Sequence, residues 1–299
     1  MIPPGPIAVI INPISGTGGR PGAARQRAER AAAMLTAHGA EGEIFVTERG
    51  GHARELAAAV VRRGIARVAV WGGDGTVNEV ASALAFGPAA LSIIPSGSGN
   101  GLARELGVPL DADRALAAAL RGRLRVIDCG ELDGRLFFNV AGLGLDARVA
   151  YEFAAHGLVR RGLARYLEVA ARELFRYTAL EQTIVADGVA IRTRALIVAL
   201  ANSRQYGNGA LIAPDARLDD GKLDIVIVEH RALWQVLRQV PRLFNGRIGS
   251  APGVSITPAV DIDIVSSGPA MYHVDGEPFV GGARLTARAH AGALRVIAP

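Results

Sequence analysis

Three glycine-rich stretches carry the residue types suited to holding phosphate. The first is Asn12-Pro13-Ile14-Ser15-Gly16-Thr17-Gly18-Gly19, the second Gly72-Gly73-Asp74-Gly75-Thr76, and the third Pro95-Ser96-Gly97-Ser98-Gly99-Asn100-Gly101. Glycine lets backbone N–H groups come close to a phosphate. A helix N-terminus beyond the loop adds partial positive charge. Ser15, Thr17, Thr76 and Ser98 add hydroxyls. One such loop is weak evidence, because any tight strand-to-helix turn favours glycine. Each of the three follows an apolar run and precedes a helical one. In a parallel sheet, all three lie at the carboxyl edge, where open α/β folds bind ligands. Asp74 suits a metal or nucleotide role, and it also suits an ordinary turn.

The rest of the chemistry is narrowed by one residue type. Of 33 basic residues only Lys222 is lysine, and it lies in none of the loops. A Walker loop needs a lysine after its last glycine, so none exists here. The strand lysine of ordinary protein kinases is missing too. Phosphate binding then rests on amides, hydroxyls, metal and arginine. No G-x-S-x-G elbow and no H-E-x-x-H occurs. Gly142-x-Gly144-x-x-Ala147 matches the dinucleotide fingerprint, but its mid-chain place reads as a strand-to-helix turn. Asp275 and Glu277 are two apart and share one side of an extended segment, where either can accept a proton. Asp275-Gly276 also suits a hairpin turn. Asp128 ends an expected strand and can hold a magnesium-bound water or simply cap. Asp220 can offer oxygen to magnesium or belong to an Asp-Asp-Gly turn. His52 reads as a helix-start surface residue.

The elements that must position these residues follow from periodicity. Ile7–Ile11, 44–46, 68–71 and 91–94 read as strands. Residues 22–37, 52–63 and 77–86 read as helices between them. Strand–helix alternation predicts a parallel sheet covered by helices. From about residue 131 strand-like segments dominate, at 136–140, 183–186, 194–200 and 223–228. Helical stretches near 146–175 and 231–244 interrupt them. This predicts a second, mainly antiparallel β domain. Arg160, Arg161 and Arg165 lie among Leu158, Val159, Leu163 and Leu167, a pattern that fits an interfacial helix or a helix packed on its own domain.

Composition sets the outer bounds. The 299 residues suit one large or two ordinary domains, and 50 % are hydrophobic. The net charge is +5, carried by scattered arginines, and aromatics are only 5 %. That disfavours nucleic acid as a partner. The single cysteine, Cys129, excludes an internal disulfide and a cysteine zinc cluster. No signal peptide and no apolar run of ~20 residues is visible. The expectation is a cytoplasmic enzyme that touches the inner face of the membrane as a peripheral protein.

The Gly-Gly-Asp-Gly-Thr-x-x-Glu stretch at 72–79 resembles the diacylglycerol kinase and sphingosine kinase superfamily. So do Asn12-Pro13-x-Ser15-Gly16, Pro95-x-Gly97-Ser98-x-Asn100, Asp219-Asp220-Gly221-Lys222-Leu223 and Val274-Asp275-Gly276-Glu277. The soluble bacterial members are the nearest match in size. The resemblance implies an ATP-binding α/β domain, 1–128 with 283–299 returning to it, and a β-rich lipid-substrate domain, 129–282. It implies ATP in a cleft between them, touched by Asn12, Pro13, Ser15, Gly16, Thr47, Gly72, Gly73, Asp74, Gly75, Thr76, Asn78, Glu79, Ser98 and Asn100. It implies Glu277 as proton acceptor, and the spacing of the pair then suggests Asp275 as its support. It also implies Mg2+ held by Asp220 and the backbone carbonyls of Arg217 and Lys222, with Asp128 a further candidate.

The activity so implied is transfer of the γ-phosphate of ATP to the hydroxyl of a lipid at a membrane surface, as in phospholipid biosynthesis. A diacylglycerol-like acceptor comes first, then a sphingoid base or ceramide. Many bacterial diacylglycerol kinases carry Gly-Thr-x-Asn-Asp in the third loop. Gly97-Ser98-Gly99-Asn100-Gly101 lacks that aspartate and is more like the sphingosine and ceramide kinases. Alternatives are a kinase of a soluble acceptor such as NAD, or a silent nucleotide-sensing module. A homodimer is compatible with all of these.

Overall fold

The computed structural model describes residues 5–16, 22–155 and 163–299. Thr17, Gly18 and Gly19 of the first loop lie outside the described residues, as do Leu158, Val159, Arg160 and Arg161. The side chains of Leu163, Arg165 and Leu167 do as well. The chain divides into two compact units. One runs to Ile127 and takes in Gly292–Pro299; the other is Asp128–Ala291.

In the first unit, strands β1 (Ile7–Ile11), β2 (Gly42–Val46), β3 (Arg67–Gly72) and β4 (Ala90–Pro95) alternate with helices. These are α1 (Ala23–Ala37), α2 (His52–Arg62) and α3 (Asp74–Leu84), followed by α4 (Gly101–Glu105) and α5 (Ala112–Arg121). The strands pair in parallel in the order β2-β1-β3-β4. All five residues of β1 are fully buried, as a central strand with both faces covered requires. The second loop needs one correction. Helix α3 begins at Asp74, not near Val77, so Asp74, Gly75 and Thr76 form its first turn. An acidic residue there is favoured by the helix dipole.

Strand β5 (Arg123–Leu132) runs across the boundary into the second unit, and β6 (Arg135–Phe137), β7 (Val140–Gly144), α6 (Leu145–Ala155) and α7 (Leu163–Arg176) follow it there. Then come β8 (Gln182–Ala186), β9 (Val189–Thr193), β10 (Ala195–Ala201), β11 (Gln205–Gly207), β12 (Ala210–Leu211) and β13 (Leu223–Glu229). Two short helices, α8 (Leu233–Leu237) and α9 (Val240–Phe244), replace the single stretch expected over 231–244. Pro241 starts α9, and proline cannot continue a preceding helix. Strands β14 (Val254–Ala259), β15 (Asp261–Ser266), β16 (Met271–Val274), β17 (Glu277–Val280) and β18 (Arg284–Ala298) complete the chain.

Six strands form one antiparallel sheet, β14-β13-β10-β7-β16-β17. A second layer contains β15 paired with β8 and with the first part of β18, and β8 paired with β9. Alternate residues from both layers meet in one core. Leu143, Val198, Leu200, Ile225 and Ile227 come from the first, Ile184, Ile262, Ile264 and Leu285 from the second. That is a β-sandwich. Strand β18 pairs with β15 from Arg284 to Arg288, and with β4 at Arg295 and Val296. The chain therefore re-enters the first unit at Gly292, later than the expected 283.

Candidate active site

The three loops of the first unit are tied to one another by side chains. Asn12 begins loop one directly after β1, its N–H bonded to the Trp71 carbonyl. Its Nδ2 donates to Thr76 Oγ1 at 2.8 Å. Ser15 and Ser96 share a hydroxyl hydrogen bond of 2.6 Å. The Arg27 guanidinium reaches from α1 and donates to the Asn12 carbonyl at 2.5 Å and the Ser15 carbonyl at 2.8 Å. Burial pulls its pKa below the ordinary value, yet arginine stays charged at any neutral pH. This places a cation on loop one.

Asp74 joins loops two and three. Its carboxylate accepts from the N–H of Asn100 at 2.9 Å and of Gly101 at 2.8 Å. Asn100, at φ +51°, accepts from Gly97 N–H and donates to the Gly97 carbonyl. The glycines are there for close approach. A Cβ on Gly97 would lie 2.9 Å from Gly73 Cα, and one on Gly99 would lie 2.8 Å from Asp74 Oδ2. Gly16 has φ +74°, and a Cβ there would fall 2.0 Å from the Ser96 carbonyl oxygen.

Glu79, Asn78 and Thr47, all expected at the nucleotide, also make bonds within the frame. Glu79 accepts from Gly51 and Ala53 N–H at 2.9 and 3.1 Å, which caps α2. Asn78 is buried and bonded to Ser82. Thr47 is buried, its N–H on the Ile11 carbonyl at 2.9 Å. Gly72 ends β3, where its carbonyl accepts from Ser96 N–H. Pro13 is half-buried, while Gly75 and Ser98 are exposed. A cleft of about 160 Å³ is lined by Asn12, Pro13, Ile14, Thr47 to Gly50, Ala53, Thr76 and Glu79. A larger depression of about 410 Å³, lined by His38, Glu41, Arg67 and Arg121 among others, is at the opposite edge of the strands. It touches none of the loops.

In the second unit, Asp275 and Gly276 form the two-residue turn between β16 and β17, with φ +47° and +85°. Two positive φ values define a type I′ hairpin turn. Asp275 is therefore not extended, and it does not share a side with Glu277 as expected. Its carboxylate accepts from the N–H groups of Phe138, Asn139 and Val140 at 3.0, 3.0 and 3.1 Å. Glu277 is exposed at the start of β17.

A polar group that sequence reasoning passed over holds this hairpin from below. His273 Nδ1 accepts from Gly276 N–H at 3.3 Å, and its Nε2 lies 3.1 Å from Asp146 Oδ2. Because Nδ1 is the acceptor, Nε2 carries the hydrogen and donates to Asp146. Tyr206 Oη also donates to Asp146, at 2.9 Å, and Ala147 N–H binds its other oxygen at 2.8 Å. Asp146 and His273 are buried. Gly142 explains itself here, since a Cβ would lie 2.2 Å from Asp146 Oδ2 and 2.9 Å from His273 Nε2. The Gly142-x-Gly144 pattern is indeed a strand-to-helix turn, β7 into α6. Its signal was a glycine four residues before an aspartate.

Three of the expected metal residues, Arg217, Asp220 and Lys222, lie in the loop before β13, and the fourth, Asp128, reaches that loop from a strand. Asp128 is inside β5 rather than at a strand end. It is buried, and its Oδ2 accepts from Gly221 N–H at 2.6 Å. Asp220 accepts from Lys222 N–H at 3.1 Å, and the exposed Arg217 side chain pairs with Asp219. Asp224 has its pKa raised by burial first and by Asp220 and Asp215 next. The Asp220 carboxylate is a hard oxygen donor of the kind a divalent cation takes, while among the described residues no group of three or more His, Cys, Asp or Glu gathers to hold a metal ion. Asp128 serves to fasten the loop. Cys129 beside it is a buried thiol pushed up to about 12 by burial and then by Glu131, Asp128 and Asp275.

Comparison with known proteins matches this division. Residues 6–132 match the diacylglycerol kinase catalytic domain, and residues 139–298 match the YegS C-terminal NAD kinase beta sandwich-like domain. A diacylglycerol kinase of Mycobacterium tuberculosis (strain ATCC 25618 / H37Rv) is 34 % identical over 91 % of this chain and 89 % of its own. A Pseudomonas aeruginosa (PAO1) protein named "Probable lipid kinase YegS-like" is 31 % identical over 93 % and 91 %. A crystal structure from Bacillus anthracis str. Sterne superposes with a TM-score of 0.81 at 22 % identity, covering 98 % of this chain and 95 % of that one. That last likeness concerns the fold. Two domain models that together span most of the chain, and relatives above 30 % identity along nearly its whole length, establish that the chain belongs to the diacylglycerol kinase superfamily of lipid kinases.

Proposed function

We propose that the protein transfers the γ-phosphate of ATP to the hydroxyl of a diacylglycerol-like lipid, with a sphingoid base or ceramide as the next acceptors. Membership of a kinase family carries the use of ATP. The observation that supports the site is the cross-linking of three glycine loops at one sheet edge through Asn12–Thr76, Ser15–Ser96 and Asp74–Asn100. Phosphoryl transfer asks mainly for positioning and charge neutralisation. The amides of the loops and of the α3 first turn, the Asn12, Ser15 and Thr76 side chains, and the cation of Arg27 meet those demands. Asp74 and Glu79 act by fixing the loops.

Glu277 takes the acceptor proton as the new O–P bond forms and the bond to the departing ADP oxygen breaks. Asp275 and His273 hold its hairpin. Asp220, with the carbonyls of Arg217 and Lys222, would hold a divalent cation such as Mg2+. When bound, a divalent ion neutralises negative charge, on this acidic loop or on the nucleotide phosphates. A lipid acceptor puts the enzyme to work at the cytoplasmic membrane surface as a peripheral protein. Among the described residues no helix is long and apolar enough to cross a membrane.

A second reading takes NAD as acceptor, because the C-terminal model carries the NAD kinase-like sandwich in its description. Coupled measurement of ADP release separates the two. Diacylglycerol in mixed micelles stimulates ATP turnover and NAD does not. The opposite pattern would replace the lipid acceptor by NAD.

A further inference from the structure

The connection from β13 to β14 exposes large apolar side chains that no core uses. Trp234 is 59 %, Leu237 51 % and Phe244 44 % exposed. Trp234, Leu237 and Arg238 stand three and four apart, so they share one face of α8. The same helices are anchored on their other side. Val236 packs on the cluster of Leu145, Val149, Val169 and Leu196, and Leu243 packs on that of Val140, Ala199 and Val226. The exposed face is therefore held in place.

Charge gives the face its partner. Between Glu229 and Asp261 the chain has no acidic residue and four arginines, Arg231, Arg238, Arg242 and Arg247. Arg231 is paired with Glu229, and Arg242 is bonded to the Ser250 carbonyl. Arg238 and Arg247 are exposed, and the Arg238 guanidinium lies 5.9 Å from the Trp234 ring centroid. Tryptophan and leucine flanked by arginine suit the boundary between acyl chains and anionic headgroups. A second copy would bring the same arginines against each other.

We propose that the α8–α9 face docks the protein on a bilayer containing anionic phospholipid, Trp234, Leu237 and Phe244 entering the headgroup boundary and Arg238 and Arg247 meeting phosphate. The purpose of this docking rests on the lipid-acceptor reading; its test does not. The full chain is mixed with phosphatidylcholine vesicles with and without phosphatidylglycerol. It co-sediments with the anionic vesicles, less so as salt rises. Its tryptophan emission shifts to the blue. Trp71 is buried, so the shift reports Trp234.

Two variants, Trp234→Ala/Leu237→Ala/Phe244→Ser and Arg238→Glu/Arg247→Glu, each weaken vesicle binding by about tenfold or more. Circular dichroism melts check that both remain folded. Turnover on a short-chain acceptor dispersed in detergent stays as in the parent, while turnover on vesicles falls. Vesicle binding unchanged in both variants would overturn the proposal. So would variants that only convert a dimer to a monomer, since the face would then join two copies. If no lipid is phosphorylated but binding and its loss are as described, the docking stands and the acceptor assignment falls.

Discussion

Asp275 spends its carboxylate on three successive main-chain amides, 138 to 140, while Glu277 two residues on reaches solvent. That difference is the ground for proposing Glu277 as the proton acceptor and Asp275 as the residue that holds its hairpin. Glu277→Gln is expected to lower turnover by ~10²–10⁴-fold with the KM for ATP little changed; near-parent turnover would remove Glu277 from the chemistry. His273 acts one step further back, through the Gly276 N–H. His273→Ala should lower kcat by up to ~10²-fold, as misplacement of a reacting group does, and leave the KM for ATP alone. A rise in the ATP KM would mean that the variant damages more than the hairpin. Cys129 offers a check on the core. With its pKa at about 12, the thiol stays protonated through neutral and mildly alkaline pH. One thiol should react with a disulfide reagent only after unfolding, and prompt reaction at pH 8 would contradict its burial. The sequence made Asp275 and Glu277 visible because they are neighbours in a known pattern. It hid the Asp146, Tyr206 and His273 group because its members are 60 and 127 positions apart, and a lone histidine carries no spacing to read.

At the scale of elements, the apolar runs that become β1, β3 and β4 are legible because a strand covered on both faces has no polar alternation. The helix starts are less so. Asp74 reads as a loop residue by type, and only the bonds from Asn100 and Gly101 show it serving as a clamp from the first turn of α3. Asp74→Asn replaces one accepting oxygen by a donor that faces an amide N–H. The expected cost is ~1–3 kcal/mol for a bond left unmade, read as a lower Tm and a raised KM for ATP. Gly16→Ala would place a methyl carbon on the Ser96 carbonyl at positive φ; a backbone strain of ~1–3 kcal/mol follows from the dihedral alone. Calorimetry showing no loss for Gly16→Ala would mean that loop one does not hold the turn it has here. The break at Pro241 was legible in principle, since proline inside a helical pattern ends it. The spread of apolar residues over 231–244 concealed it.

For the whole molecule, the change from strand–helix alternation to strand-rich sequence marks two units, and the fold follows that change. The return of the chain was harder to place. Strand β18 is continuous from Arg284 to Ala298 while its partner changes from β15 to β4, and its strict alternation of exposed and buried residues is lost only after Ala289, well past the expected 283. Pairing partners are tertiary facts that a single strand does not record. The acceptor is likewise not written in the loops, because a loop suited to phosphate records nothing of the group to which the phosphate passes. The central claim, that ATP phosphate passes to a lipid hydroxyl, is tested most directly by label. The protein is incubated with γ-labelled ATP, Mg2+ and a mixed lipid extract, beside its Glu277→Gln variant, and the labelled product is identified by chromatography and mass spectrometry. A single lipid phosphate, diacylglycerol-derived and formed far more slowly by the variant, is the predicted result. Label appearing only in a water-soluble product such as NADP, or in no product, would contradict the account.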